Sequence, residues 1–124
     1  MNSSEVETRV GKAKEMLVGY PTETVEAAER FFRDGDAAAL DRLVAGVIAY
    51  HRPAGAAEAN HEKPAELAGS ARLVEDLGFD SLAMVEMSFL LDELLGLKLS
   101  DDEMRALRTL DDVRGVVRAR ASAG

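Results

Sequence analysis

Ser81 is the side chain best placed to do chemistry. It closes the run Leu73-Val74-Glu75-Asp76-Leu77-Gly78-Phe79-Asp80-Ser81, an acidic stretch that passes directly into an apolar-periodic segment beginning at Leu82. Asp80 stands where a helix N-cap belongs, so Ser81 opens the helix. The unpaired amides of a first turn and the positive end of the helix dipole favour negative charge, which makes a hydroxyl there a good attachment point for a phosphate. Gly78, three residues earlier, lets the chain turn closely and leaves the serine exposed. The plainer alternative is that Asp80 or Ser81 does no more than cap the helix.

Other chemistries lack their settings. A hydrolase elbow needs Gly-x-Ser-x-Gly, whereas here the glycine is three before the serine and Ala83 is two after it. His51 and His61 both lie upstream in a presumed loop, and nothing in the sequence orients either towards Ser81. The absence of cysteine removes thiolate catalysis, disulfides and Cys-ligated zinc together. His51, His61 and Glu62 do not form a recognised metal-ligand spacing and read as solvated polar residues. We therefore expect no catalytic residue and no metal site.

The elements that must position Ser81 are helical. Ser4 to Glu7 reads as a capping box, and Val6, Val10, Ala13, Met16 and Leu17 then recur at helical spacing until Gly19-Tyr20-Pro21. A second short helix is predicted over 22–33, with Val25, Ala28, Phe31 and Phe32 on a face that packs on the bundle. Over 37–50, Leu40, Leu43, Val44, Val47 and Ile48 follow the pattern of a core-facing helix. Residues 52–72, rich in Pro, Gly and Ala, read as a long loop. The helix opened by Ser81 is predicted to end at Leu95, with Gly96 as its stop and Leu77 and Leu82 anchoring its start in the core. Leu97 and Leu99 flank Lys98 in an extended link. Ser100 to Glu103 forms a second capping box before a short helix with Met104 and Leu107, and Thr109 caps a last helix carrying Leu110, Val113, Val116 and Val117. No stretch alternates with period two. The fold class is all-α, a bundle of about four helices with a helical extension over 1–35, a main domain over 36–117 and a tail over 118–124 that is expected to fray.

The net charge of the 124 residues is −8, which argues against nucleic acid. Its distribution says more. Residues 73–113 hold eleven acids against three bases, so the whole net charge sits around Ser81 and calls for partners with basic patches. No leader pattern opens the chain and no run approaches a membrane span, so a soluble, cytoplasmic protein is expected, and a monomer.

The run from Leu73 to Leu82 resembles the phosphopantetheine attachment site of acyl carrier proteins: an apolar residue, two acids, Leu-Gly, a variable position and Asp-Ser-Leu. Val85, Glu86 and Leu91 fall where that family's second helix has a valine, a glutamate and a leucine. Lys98-Leu99 and Ser100-Asp-Asp-Glu103 match its link into a short third helix, and the likeness covers residues 36–117. It implies that Ser81, flanked by Asp80 and Leu82, carries a covalent 4'-phosphopantetheine group taken from coenzyme A by a phosphopantetheinyl transferase. It further implies a carrier rather than an enzyme, with acyl chains held as thioesters and delivered in fatty acid, polyketide or specialised lipid synthesis. Asp80, Glu86, Asp92 and Glu93 would meet basic surfaces on the transferase and on acyl-processing enzymes. Val85, Phe89 and Leu91 would line an apolar cleft for the acyl chain. Ala83 and Ser88 depart from the usual acid and aliphatic residue at their positions, and both the 1–35 extension and the long loop are additions to a minimal carrier. An aminoacyl or peptidyl carrier and an unmodified helical interaction module stand as alternatives; Gly-Phe-Asp-Ser-Leu favours the acyl class, since peptidyl carriers tend towards Gly-His-Ser.

Overall fold

Most helices begin where the sequence supplies a side chain to satisfy the free amides of a first turn. The Asp36 carboxylate accepts from the amides of Ala38 and Ala39, and Asp80 accepts from that of Ala83. Ser100 with Glu103, and Thr109 with Asp112, form complete capping boxes. In a computed structural model that describes residues 3–52 and 69–121, these signals start α3, α4, α5 and α6 of six helices: α1 Ser3–Met16, α2 Thr22–Asp34, α3 Ala37–His51, α4 Ser81–Leu95, α5 Asp101–Arg105 and α6 Leu110–Arg120. Among the described residues there is no strand, only an isolated antiparallel bridge between Arg72 and Thr109. The all-α reading holds. No helix among the described residues is long and apolar enough to cross a membrane.

One apolar cluster runs through all of the longer helices. Val10, Ala13 and Leu17 of α1 and Ala28, Phe31 and Phe32 of α2 join Leu43, Val44, Val47 and Ile48 of α3, Met87, Leu91 and Leu95 of α4, and Leu110, Val113 and Val117 of α6. Helix α3 is central, packing on α2, α4 and α6, while α1 packs on α2 and α4. Burial of an aromatic such as Phe32 contributes about 2–3 kcal/mol, so the N-terminal helices share the bundle's core and do not hang from it. The α2–α3 approach is especially close at Gly46, where a Cβ would overlap the Thr24 side chain. Arg33 bridges Glu7 of α1 and Glu29 of α2, and Arg9 lies 4.5 Å from the centre of the Phe32 ring.

Four local expectations need correction. Ser4 is no cap, because α1 already includes Ser3; its carbonyl instead accepts from the Thr8 hydroxyl at 2.9 Å. His51 does not lie in a loop but ends α3. Lys98 is not extended: its φ of 55° is left-handed, which lets the chain fold back so that Leu97 is buried. Residues 118–120 are helical and not frayed, because Arg118 pairs with Asp41 of α3 and Arg120 pairs with Glu103 at 2.5 Å. Residues 53–68, most of the predicted long loop, and 122–124 of the predicted tail lie outside the described residues.

Candidate functional site

The segment before Ser81 is stitched down by its own alternation. Leu73, Leu77 and Phe79 are buried, while Val74, Glu75, Asp76 and Asp80 face outwards. The Leu73 amide donates to the Arg108 carbonyl at 2.8 Å, and the amides of Leu110 and Asp111 donate to the carbonyls of Ala71 and Gly69 at 3.0 and 2.8 Å. These bonds fasten the segment to the α5–α6 connection. Gly78 takes φ 76°, a conformation that costs a side-chain-bearing residue, and the Phe79 amide returns to the Leu73 carbonyl at 2.9 Å. The result is a closed turn that delivers Asp80 to the start of α4.

Asp80 Oδ1 accepts from the Ala83 amide at 2.8 Å. Ser81 follows as the first helical residue, exposed, with its hydroxyl making no hydrogen bond among the described residues. Beside it opens a groove of about 970 Å³, lined by Ser81, Val74, Met84, Val85, Ser88, Met104 and Leu107, with Arg72, Arg105 and Arg108 among its polar side chains. An unhindered hydroxyl, free first-turn amides and an adjoining groove with a partly apolar lining suit the attachment of an anionic, extended group.

The helical period distributes the other residues of α4 in a way the family likeness did not reveal. Ala83, Met87, Leu91 and Leu94 face the core, so Leu91 is 1% exposed and is not part of the groove's lining. Val85 borders the groove, but Phe89 is not part of its lining. Leu82, Val85 and Phe89 are 66%, 62% and 64% exposed, so Leu82 anchors nothing in the core. The three form an apolar ridge leading away from Ser81, with Glu86 among them at i and i+3 or i+4 spacing. Ser88, where an aliphatic residue is usual, is buried on the groove side.

Of the acids, Glu86 and Glu93 are exposed. Asp92 is partly buried and its Oδ1 accepts from the Leu99 amide at 3.2 Å, so it also fastens the link after α4. Asp76 is held below the usual carboxylate range, first by the Arg72 backbone amide and then by its guanidinium, which also lies 3.9 Å from Glu75. Arg72, one residue outside the acidic window, thus offsets part of the field near Ser81.

Sequence reasoning missed a contact at the far side of α4. The Tyr20 hydroxyl lies 2.6 Å from His51 Nε2, and His51 Nδ1 lies 4.0 Å from Glu86 Oε2. The partners are 31 and 35 positions apart, and no periodicity marks such a pairing. His61 and Glu62 lie outside the described residues, among which no group of three metal-ligating side chains occurs.

Comparison with known proteins fits this geometry. The family model described as the phosphopantetheine attachment site matches residues 56–117, half of the chain. The meromycolate extension acyl carrier protein of Mycobacterium tuberculosis (strain ATCC 25618 / H37Rv) is 38% identical over 51 residues, 41% of this chain and 44% of that protein. Acyl carrier protein 2 of Ralstonia nicotianae is 34% identical over 56 residues, 45% of this chain and 69% of its own length. The acyl carrier protein of Rhodococcus erythropolis is 35% identical over 51 residues, 41% of this chain and 56% of its own. The chain thus spans about half the length of the mycobacterial and Rhodococcus relatives. No solved structure matches significantly. The chain belongs to the phosphopantetheine-attachment family, that of the acyl carrier proteins, and this membership implies a covalently held 4'-phosphopantetheine group.

Proposed function

We propose that the protein is an acyl carrier and that Ser81 is its attachment residue. The observation that carries this reading is the exposed Ser81 hydroxyl at the capped start of α4, beside the groove. In the attachment step a phosphopantetheinyl transferase activates coenzyme A. Ser81 Oγ bonds to the phosphorus that bears the pantetheine, adenosine 3',5'-bisphosphate leaves, and the hydroxyl proton passes to a base of the transferase. The first-turn amides of α4 stabilise the phosphodiester charge, and Asp80 keeps that turn formed. Once bound, the group supplies a thiol that holds acyl chains as thioesters. Val85, Met84, Met104 and Leu107 give the cargo apolar surface along the groove.

Docking falls to the ridge of Leu82, Val85 and Phe89, with Glu86 and Glu93 beside it meeting basic groups on the transferase and on acyl-processing enzymes. Residues 36–117 form the carrier domain and 1–35 its extension, whose helices α1 and α2 pack into the core. The names of the similar proteins favour fatty acid or related lipid synthesis as the setting. No side chain of this chain is assigned a catalytic part. The test is loading. Protein treated with coenzyme A, magnesium and a broad-specificity transferase, then with an acyl donor, should gain an acyl group that hydroxylamine releases. An acyl group retained by the Ser81→Ala variant would refute the reading.

A further inference from the structure

The N-terminal extension does more than cover the core. Its turn at residues 17–21 carries Tyr20, whose ring stacks on Tyr50 with centroids 3.7 Å apart and whose hydroxyl lies 2.6 Å from His51 Nε2. Tyr50 also meets the His51 ring edge-on at 5.5 Å. The far side of that imidazole faces the carboxylate of Glu86 at 4.0 Å, an electrostatic contact and not a hydrogen bond. The imidazole side chain is 14% exposed and that of Glu86 is 55% exposed, so the chain of contacts runs from a sheltered ring outwards to the ridge.

The proton positions follow from the partners. A carboxylate opposite Nδ1 favours the tautomer with the proton on Nδ1, which leaves the Nε2 lone pair to accept from the Tyr20 hydroxyl. Burial lowers the pKa of His51, with Glu86 opposing, so the ring is neutral at pH 7. Burial, followed by the charges of Tyr50 and Glu86, pushes Tyr20 up to about 12, so its hydroxyl keeps its proton and remains a donor.

We propose that the extension is a positioning element for partner docking: Tyr20 orients His51, and the Nδ1–H of His51 biases the Glu86 carboxylate towards one rotamer beside Val85 and Phe89. Tyr20 and His51 are positioning residues, and the proposal rests on the reading of Glu86 as a docking group. An exposed glutamate ordinarily loses rotamer freedom when a partner binds it; one already biased loses less.

The experiment is steady-state kinetics of arm transfer from coenzyme A to the full chain by a broad-specificity transferase. Tyr20→Phe keeps the stacked ring and removes only the hydroxyl, and should raise KM about threefold with kcat unchanged. Glu86→Gln should raise KM about fivefold. The double variant should be no worse than Glu86→Gln alone, because the hydroxyl acts through the carboxylate. His51→Asn and His51→Leu both lack the Nε2 acceptor through which Tyr20 orients the side chain, so each should match Tyr20→Phe. Imidazole nitrogen shifts should report the Nδ1–H tautomer in the parent chain. Equal effects of Tyr20→Phe with and without Glu86→Gln, or an Nε2–H tautomer in the parent, overturn this proposal alone. No transfer to the parent chain overturns the carrier reading as well.

Discussion

Replacing Asp80 separates what its shape does from what its charge does. Asp80→Ala deletes the oxygen that accepts from the Ala83 amide at 2.8 Å, leaving that amide without its cap. Loss of a capping side chain costs about 1 kcal/mol. The negative charge at the positive end of α4 contributes about 0.5 kcal/mol more. Asp80→Asn retains an acceptor oxygen in the same place and gives up only the charge. For a chain of 124 residues, with about 4 °C of melting temperature per kcal/mol, Asp80→Ala should melt about 6 °C below the parent and Asp80→Asn about 2 °C below. Far-UV circular dichroism melts measure both. The same variants, tested as substrates of a phosphopantetheinyl transferase, should rank in the same order, because fraying of the first turn displaces Ser81. Equal melting of the two variants, or an Asp80→Ala melt within about 1 °C of the parent, would refute the claim that the cap holds the site.

Further outcomes follow from packing and charge. Gly46→Ala should destabilise by about 1–3 kcal/mol in urea unfolding, since its Cβ overlaps Thr24, and adding Thr24→Ala should recover much of the loss. Leu91→Ala should cost about 2–5 kcal/mol. In contrast, Leu82→Ala and Phe89→Ala should stay within about 0.5 kcal/mol while weakening transferase binding in calorimetry, because both side chains are exposed. Stability should also fall with pH below 6.5: the folded state holds His51 neutral to a lower pH than the unfolded chain does, so the unfolded state binds the extra proton first. Urea titrations between pH 7 and 5 measure that slope, and His51→Asn should remove its histidine component.

Elements whose signals are local were legible in the sequence. Asp80, Ser100 and Thr109 each mark a helix start with a side chain that reaches the amide three residues on, and Gly96 marks a stop. The core faces of α2, α3 and α6 followed from spacing alone. On α4 the apolar residues occur all round, so spacing did not separate Leu91, which is buried, from Leu82, Val85 and Phe89, which are exposed. Only packing on α1 and α3 decides which face turns inwards. The helical extent of 118–120 was equally hidden, since it depends on Arg118 meeting Asp41, 77 positions away. Arg72 lay just outside the window in which the acids were counted, yet it sits against Asp76. The Tyr20–His51–Glu86 contact joins a turn and two helices and leaves no trace in any one of them.

Intact-mass analysis tests the central claim most directly. The parent chain and the Ser81→Ala and Ser88→Ala variants are each incubated with coenzyme A, magnesium and a broad-specificity phosphopantetheinyl transferase. The parent and Ser88→Ala should each gain one phosphopantetheine mass, mapped in the parent to the peptide containing Ser81, and Ser81→Ala should gain none. A gain that survives Ser81→Ala, or no gain on the parent, would contradict the account.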